Sequence, residues 1–177
     1  MNNVAIIIPV KDDSKRLPNK WKLQISGYSL FEIAINKARS ISKNVYVTSS
    51  SYAVLQEAEK MGVKTIKRPQ GLDKEVPLET VVQHAIAYLP AEIDRVILMQ
   101  ITNPFTDVTD LVLAMKSNCM GVTHNGSFYS QTKQEWLESG MKNKQGRMGY
   151  IFMDKSVDID TPDDYNKAVR ILSDEKN

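Results

Sequence analysis

A basic segment near the start of the chain holds residues whose types and spacing could do chemistry. Residues 11–22 read KDDSKRLPNKWK, with five lysines and arginines in twelve positions. Lysine and arginine side chains on a loop suit a polyphosphate, because they form charge-assisted hydrogen bonds with its oxygens. The segment lacks the glycines of a dinucleotide fingerprint or a P-loop, which argues against both of these sites. A solvated charged loop is the alternative interpretation.

A pair of aspartates, Asp158 and Asp160, is the second candidate. Alternate side chains of an extended segment point the same way, so the two carboxylates are expected to share one side. Mg²⁺ usually takes one or two carboxylates and completes its shell with water and substrate phosphate. The alternative is that the aspartates only stabilise the N-terminus of the following helix, where negative charge is favoured.

A polar segment, QITNP at residues 100–104, directly follows an apolar run and could present amide and hydroxyl groups beside the basic segment. Ligands bind outside the carboxyl ends of the strands in open α/β sheets, which is where both segments would lie. An ordinary polar turn is the alternative. His84 and His124 are far apart and accompany no serine or cysteine motif, which makes a hydrolase triad a poor interpretation.

The elements that must position these residues alternate between strands and helices. Residues 4–10 form a continuous apolar run that is too short for a helix and is typical of a strand buried on both faces. Ser29 and Glu32 form a capping box for the first helix, while Thr161 and Pro162 begin the last one. Further strands are predicted at 45–48, 63–66, 94–100, before Thr123 and near 150–153, and further helices at 52–61, 77–89, 107–116 and around 135–139. The pattern predicts an α/β protein with a mostly parallel central sheet.

Composition limits the possible classes of protein. The 177 residues, 42% hydrophobic and 25% charged, predict one domain over residues 1–177. A net charge of +2 gives no argument for a nucleic-acid or membrane-surface partner. One cysteine, Cys119, excludes an internal disulfide framework and a cysteine-based metal cluster. Apolar runs are too short for a membrane span and no signal peptide is recognisable, so we expect a cytoplasmic location.

Together these segments resemble the CMP-sugar synthetases, above all the acylneuraminate (CMP-sialic acid) cytidylyltransferases, with the CMP-KDO enzymes as more distant relatives. Residues 10–21 are in register with the family pattern A-R-x-G-S-K-R-L-P-x-K-N and match it at 14–18 and at Lys20. Residues 68–72 correspond to R-P-x-x-L, 100–104 to Q-P-T-S-P and 125–129 to N-G-a-i-Y. The most specific match is SVDIDTPDD at 156–164, where the family reads S-V-D-I-D-T-P-E-D.

The resemblance implies a three-layer, Rossmann-like nucleotidyltransferase fold and a reaction in which the anomeric hydroxyl of a 2-keto sugar acid attacks the α-phosphate of CTP and pyrophosphate leaves. It assigns the triphosphate to Lys11, Ser14, Lys15 and Lys20, the nucleotide also to Arg68, the sugar to Gln100 and Tyr129, Mg²⁺ to Asp158 and Asp160, and catalysis to Lys20, Asp158 and Asp160. In-line displacement at phosphorus needs mainly positioning and charge neutralisation, which these residue types supply. We therefore expect CTP and a sugar acid as substrates and Mg²⁺ as cofactor.

The chain also departs from the family pattern. Lys11 stands in place of an arginine, Asp13 of a glycine, Trp21 of the base-contacting asparagine, and Ser50 and Ser51 of an aspartate pair. The segment after residue 116 is much shorter than the insert with which the family dimerises, so we expect a monomer or weak dimer. Two alternatives stay open: a nucleotidyltransferase that uses another nucleoside triphosphate, and a diverged relative that binds a nucleotide or a partner without catalysis.

Overall fold

The structure is a computed structural model that describes residues 3–72, 76–117, 120–123, 126–141, 149–152 and 157–174. The strands are β1 (Val4–Pro9), β2 (Gln24–Ile25), β3 (Tyr28–Ser29), β4 (Val45–Ser49), β5 (Lys64–Lys67), β6 (Arg95–Met99), β7 (Met120–Thr123), β8 (Phe128–Thr132) and β9 (Gly149–Phe152). The helices are α1 (Leu30–Ile41), α2 (Tyr52–Lys60), α3 (Leu78–Ile86), α4 (Val108–Lys116), α5 (Lys133–Ser139) and α6 (Pro162–Asp174). Within these ranges, no helix has the length and apolar character needed to cross a membrane.

Seven strands form one sheet in the order β5-β4-β1-β6-β8-β7-β9, and β2 and β3 form a separate hairpin. The pairs β5-β4, β4-β1, β1-β6 and β7-β9 are parallel, whereas β8 is antiparallel to both of its neighbours. The sheet is therefore mostly parallel, as the sequence predicts. The carboxyl ends of β5, β4, β1 and β6 meet at one edge, which we call the carboxyl edge. The opposite edge, where these four strands begin, is called the amino edge.

Helices cover both faces of the sheet, which gives three layers. Ile6 and Ile8 of β1 belong to a buried core with side chains of α1, α2 and α4, whereas Ile7 belongs to a second core with α3 and α5. Successive side chains of a strand point to opposite faces, so a strand covered on both sides needs an unbroken apolar run. This explains why the sequence signal for β1 is a run rather than an alternation.

A third apolar cluster contains residues of both the basic segment and the segment that carries the aspartate pair. Leu17 of the basic segment, Val157 and Ile159 are all buried in it, together with Ala168 of α6. The apolar residues between the charged ones thus anchor both segments to the same small core. Burial of these side chains brings residues about 140 positions apart in the chain to one place.

The predicted helix caps are confirmed. The Ser29 side chain accepts from the Glu32 N–H while the Glu32 carboxylate accepts from the Ser29 N–H, which completes the capping box of α1. Thr161 and Asp164 exchange equivalent bonds before α6, which begins at Pro162. The helix predicted over 77–89 is shorter in the structure. Pro77 lies just before α3 instead of within it, and the chain turns after Ile86, where α3 ends.

The hairpin β2-β3 and strand β8 were not predicted from the sequence. Strand β8 mixes aromatic and polar residues, and both Ser130 and Gln131 are buried in it. Their side chains donate to the carbonyls of Ala114 and Gly140, so the donor groups of both residues are satisfied inside the fold. A strand with buried polar residues gives no apolar pattern in the sequence. The residues Cys119, His124, Asn125, Met153 and Ser156 lie outside the described residues.

Candidate active site

A cavity of about 320 Å³ opens at the carboxyl edge of the sheet. Its lining comes from the loop after β1, the segment after β5, the start of α3, the segment after β6 and the residues before α6: Pro9, Lys11, Ser14, Lys20, Arg68, Val76, Leu78, Val81, Gln100, Ile101, Thr102 and Asp160. The basic segment, the QITNP segment and the aspartate pair therefore meet in one place. The crevice outside the carboxyl ends of parallel strands is where open α/β sheets bind ligands.

Most of the residues that the resemblance selects reach this cavity. Lys11, Ser14, Lys20, Arg68, Gln100 and Asp160 line it, whereas Lys15, Tyr129 and Asp158 are not among the lining residues. Lys15 is exposed on the basic segment. Asp158 is hydrogen-bonded to Thr102, which lines the cavity, and Tyr129 lies close to Gly126, whose carbonyl accepts from Gln100 of the lining.

Asp160 holds two cations at the rim of the cavity. The Lys20 Nζ donates to its Oδ1 at 2.7 Å and the Arg16 Nη2 to its Oδ2 at 2.6 Å. Burial alone would raise the pKa of Asp160, but the bonds and charges of Lys20 and Arg16 hold that pKa below its ordinary value. The Lys20 side chain is only 10% exposed, so a charge that is largely out of water is compensated by this carboxylate.

Arg68 is the most deeply buried cation of the cavity, with 1% of its surface exposed. Its Nη2 donates to the carbonyl of Val10 at 2.8 Å, and its own N–H donates to the carbonyl of Ser49. These bonds fix the guanidinium between the ends of β1 and β4. A planar guanidinium held in this way presents a fork of donors that matches phosphate or carboxylate oxygens.

The aspartate pair follows the alternation expected of an extended segment. Val157 and Ile159 are buried, whereas Asp158 and Asp160 are partly exposed. The Ile159 N–H donates to the Thr102 carbonyl at 2.8 Å, which ties the pair to the segment after β6. Burial raises the pKa of Asp158, and the nearby charge of Asp160 adds to the rise against the opposing effects of Thr102 and Lys20.

Gln100, Gly126 and Tyr129 form a tightly packed corner of the site. The Gln100 Nε2 donates to the Gly126 carbonyl at 2.7 Å. Gly126 has φ +75°, and a Cβ built on it would lie 2.9 Å from the Tyr129 Oη. Only glycine fits there, both for its backbone conformation and for the space. The pKa of Tyr129 is raised by burial and by the charge of Asp158, so this corner also adjoins the aspartate pair.

The donor chemistry of Asp158 and Asp160 suits Mg²⁺, since both offer hard carboxylate oxygens from one extended segment. Burial is the main cause of the raised pKa of Asp158, with the charge of Asp160 a smaller one, and a bound cation would favour the charged carboxylate. Both oxygens of Asp160 bond to Lys20 and Arg16, so an ion here shares that carboxylate with them or displaces them. Across the part of the chain that the structure describes, no group of three or more His, Cys, Asp or Glu side chains is placed to hold a metal ion.

Two features near the site were not predicted from the sequence, the contacts of Lys37 and the burial of Trp21. Lys37 of α1 donates through its Nζ to the carbonyls of Pro104 and Thr106 at 2.5 and 2.7 Å, and so holds the turn that follows QITNP. The signal available for it is a lysine on a helix that is otherwise packed against the core. Trp21 is 5% exposed and packs edge-on against Phe31 in the core, so it does not face the cavity.

Comparison with known proteins decides the family. A family model described as cytidylyltransferase matches residues 5–146. The chain belongs to the cytidylyltransferase family. The matched range includes the basic segment, Arg68, Gln100 and Tyr129, and family membership supports nucleotidyl transfer from CTP. Comparison with curated proteins finds no match.

Solved structures confirm the nucleotidyltransferase fold of this cytidylyltransferase. A CMP:2-keto-3-deoxy-manno-octonic acid synthetase complexed with CTP is 14% identical, with a TM-score of 0.79 over 98% of this chain and 100% of that one. A nucleotidyl transferase from Methanothermobacter is 12% identical, with a TM-score of 0.78 over the whole of both chains. A 4-diphosphocytidyl-2C-methyl-D-erythritol synthase from Anaerococcus prevotii is 12% identical, with a TM-score of 0.70 over 97% and 96% of the two chains. At these identities the likeness shows the fold alone.

Proposed function

We propose that this cytidylyltransferase transfers CMP from CTP to a 2-keto sugar acid of the sialic or nonulosonic type and releases pyrophosphate. The observation that carries the proposal is the convergence of Lys11, Lys20 and Arg68 with Gln100 and Asp160 on one cavity. The choice of acceptor is supported by the resemblance of residues 156–164 to the CMP-sialic acid synthetases and by the fold shared with a synthetase that acts on a related acid.

The cations of the cavity bind the triphosphate. Lys11 and Ser14 reach it from the basic segment, Lys15 approaches from the exposed rim, and Lys20 and Arg68 hold it from the buried wall. Charge-assisted hydrogen bonds from these groups neutralise the charge that develops on the departing pyrophosphate. Because the ion pair with Asp160 already fixes Lys20, little ordering of that side chain remains when the nucleotide binds.

Asp158 and Asp160 hold Mg²⁺, which when bound supplies further neutralisation of phosphate charge. The chain orients both carboxylates before any ion arrives. The Asn103 Nδ2 donates to the Asp158 Oδ1 at 3.2 Å, and the side chains of Lys20 and Arg16 hold Asp160. Lys20 and Arg16 carry further N–H donors, so they can bind phosphate oxygens while they hold Asp160.

The sugar acid binds beside Gln100 and Tyr129. Since the Gln100 Nε2 donates to the Gly126 carbonyl, the Oε1 of the same amide is the atom that accepts from a sugar hydroxyl. Tyr129 supports this corner from behind Gly126. The acceptor hydroxyl then lies between this corner and the cations that bind the triphosphate, next to the α-phosphate.

Trp21 favours a second candidate, a nucleotidyltransferase that uses a different base. The resemblance places a base-contacting asparagine at this position, whereas the Trp21 ring is buried in the core. An indole turned into the core offers no donor or acceptor to the edge of a base in the cavity. Selection of cytosine must then come from other groups, or be weak.

Pyrophosphate release tests the proposal. The purified chain is incubated with Mg²⁺, each of the four nucleoside triphosphates and a panel of 2-keto sugar acids that includes sialic acid and KDO. Release with CTP and one acid is the expected result, and release with another nucleotide supports the second candidate. Folded protein that binds a nucleotide tightly but releases no pyrophosphate with any pair would be a non-catalytic relative, and the proposed reaction would be wrong.

We also propose that the protein acts as a monomer or weak dimer, because the chain has few residues between α4 and Gly126, where related enzymes carry a dimerisation insert. The proposal places all site residues in one chain. Sedimentation velocity at micromolar concentration is expected to give the mass of one chain, and a stable dimer at nanomolar concentration would contradict it.

A further inference from the structure

Asp12 is an acidic residue inside the basic segment. Both oxygens of its carboxylate accept hydrogen bonds from residues that do not line the cavity. The Trp21 Nε1 donates to its Oδ1 at 2.8 Å, and the Ser51 Oγ donates to its Oδ2 at 2.8 Å. The neighbours Lys11 and Ser14 line the cavity, but Asp12 is not among the lining residues. The hydrogen bonds from Trp21 and then from Ser51 lower the pKa of Asp12, so the carboxylate is ionised at neutral pH.

Both partners of Asp12 are themselves fixed. The Trp21 ring is buried and packs against Phe31, with ring centroids 5.5 Å apart. Ser51 is the N-cap of α2, where its side chain accepts from the Val54 N–H, and its own N–H donates to the Ser49 Oγ. Asp12 therefore connects the loop to the core on one side and to the start of a helix on the other.

The two hydrogen bonds that Asp12 accepts, from Trp21 and from Ser51, form a bridge that ties together the two ends of the basic segment. Residues 12 and 21 are joined across nine positions, so the residues between them form a loop whose two ends are tied together. Leu17, in the middle of that loop, is buried in the third apolar cluster. The N–H of Val10 donates to the Thr48 carbonyl and holds the entry to the segment. Ser14, Lys15 and Arg16 are thus carried on a loop that is anchored on both sides of them.

We propose that Asp12 is a positioning residue that, by bridging Trp21 and Ser51, sets the affinity of the cavity for a nucleoside triphosphate. This inference rests on the proposed function, since it takes the triphosphate as the ligand of the basic segment. A loop that is ordered in advance loses less conformational freedom when the ligand binds, so affinity rises without new contacts to the ligand. The chemical step after binding depends on Asp12 much less.

The test compares two substitutions of the same residue. Asp12→Ala removes both bonds, whereas Asp12→Asn keeps the shape: its Oδ1 accepts from the indole and its amide donates to the Ser51 Oγ, which accepts as well as donates. Asp13→Ala is the matched control, since Asp13 is the exposed neighbour. The dissociation constant for CTP is measured by calorimetry with Mg²⁺ present, and kcat and KM are measured with the acid that the wild-type chain accepts.

We expect Asp12→Ala to weaken CTP binding and raise the KM for CTP about tenfold, with kcat within about threefold, because the unanchored loop must then be ordered when CTP binds. Asp12→Asn is expected to restore most of the affinity, and Asp13→Ala to leave it unchanged or slightly improve it, because a negative charge is removed. Wild-type affinity in Asp12→Ala would overturn the inference. So would equal weakening by Asn and Ala, because the charge of Asp12 would then matter and its bridge would not.

A second readout separates this inference from the proposed function. If the wild-type chain binds no nucleotide, the proposed function fails, but the bridge is still tested by hydrogen exchange of the backbone amides of Lys20 and Lys22, which donate to the carbonyls of Leu17 and Asn19 in the free protein. Exchange is expected to be faster in Asp12→Ala and near the wild-type rate in Asp12→Asn. Unchanged exchange in Asp12→Ala would contradict the anchoring. If Asp12→Ala does not fold, Ser51→Ala removes one half of the bridge and is measured in the same way.

Discussion

A cavity at the carboxyl edge of the sheet and one at the amino edge have nearly equal volumes but differ in how deeply their charged residues are buried. The cavity at the carboxyl edge has a volume of about 320 Å³ and one at the amino edge about 310 Å³. Both are lined by cations. At the carboxyl edge Lys20 and Arg68 are 8% and 1% exposed, whereas Arg39, Lys43 and Lys64 at the amino edge are all exposed. Size and charge therefore do not distinguish the two cavities, but burial of the charge does.

The partners of these cations show why the difference matters. At the amino edge the Arg39 Nη1 donates to the Met61 carbonyl, and the Lys64 Nζ donates to the Tyr46 hydroxyl, beside open solvent. At the carboxyl edge Lys20 is paired with Asp160. Holding a charge out of water is costly without compensation, and perturbed, partly buried charges in a cleft are typical of functional sites. Of these two cavities, only the one at the carboxyl edge is lined by buried cations.

The largest expected effect is the loss of activity in Asp160→Asn. The substitution removes the charge that fixes Lys20 and Arg16 and one of the two carboxylates proposed to hold Mg²⁺. We expect kcat/KM for pyrophosphate release to fall by a factor of about a hundred or more, a loss typical of a group that stabilises charge in the transition state. The protein remains folded, since Asp160 is partly exposed.

Glu92→Gln supplies the control for Asp160→Asn. Glu92 is exposed and lines a second cavity at the amino edge, together with Lys43 and Lys64. Loss of its charge is expected to leave kcat/KM unchanged. Equal activity in Asp160→Asn and the wild type would remove both the metal assignment and the functional contrast between the two edges.

Two glycines with nearly the same backbone conformation sharpen the comparison. Gly126 at the carboxyl edge has φ +75° and Gly62 at the amino edge has φ +72°. A Cβ at Gly126 would lie 2.9 Å from the Tyr129 Oη, whereas nothing lies within 4 Å of one at Gly62. Alanine is strained at both positions by about 1 kcal/mol, but only at Gly126 must a neighbouring side chain also move.

We expect Gly126→Ala to raise the KM for the acid substrate about tenfold, because it displaces Tyr129 and disturbs the bond from Gln100. Gly62→Ala is expected to lower the Tm with no change in either KM. Steady-state kinetics and thermal unfolding of the two variants measure this. A similar KM for the acid in both variants would show that the corner formed by Gln100, Gly126 and Tyr129 does not contact the acid.

The smallest expected effect is a change of stability with pH. The pKa of Asp158 is raised by burial, so its charged form is disfavoured in the fold. The favourable contribution of Asp158 to the free energy of unfolding is present at low pH and is lost as the pH rises through the raised pKa. At neutral pH, Asp158→Asn is therefore expected to raise the Tm, by no more than about 4 °C for a chain of this size. The gain should disappear below about pH 4, where the carboxyl group is protonated in both states.

Asp160→Asn is expected to change stability in the opposite direction. The pKa of Asp160 is lowered, since Lys20 and Arg16 outweigh the effect of burial. The favourable contribution of Asp160 to the free energy of unfolding is present at neutral pH and is lost as the pH falls through the lowered pKa. The substitution should therefore reduce the Tm at neutral pH. Thermal unfolding of both variants between acid and neutral pH checks the two signs. A rise of Tm in both, or a fall in both, would contradict the electrostatic description of the pair.

Local signals in the sequence predicted much of the fold. The apolar run of β1, the capping box of α1 and the Thr161-Pro162 start of α6 all depend on neighbouring residues, and all three are confirmed. Strand β8 was missed because its buried polar residues find partners in distant elements. The α/β class was predictable because strands and helices alternate along the chain.

The candidate site was predictable only in part. The residue types that line the cavity could be selected from the resemblance, and the structure brings six of them together. The roles of Lys37, Asp12 and Trp21 could not be found, because each acts through a bond to a residue that is distant in the sequence or is turned into the core. Such bonds depend on tertiary packing and leave no local pattern.

The most direct test of the central claim is the binding of CTP to a matched pair of lysine variants, measured by calorimetry with Mg²⁺ present. Lys20→Met removes one of the two buried cations of the cavity at the carboxyl edge, and Lys64→Met removes an exposed cation of the amino edge. The structure predicts that Lys20→Met weakens binding at least about tenfold, the loss expected for one charge-assisted bond, while Lys64→Met binds like the wild type. Unchanged binding in Lys20→Met, or a loss in Lys64→Met alone, would contradict the placement of the nucleotide site at the carboxyl edge.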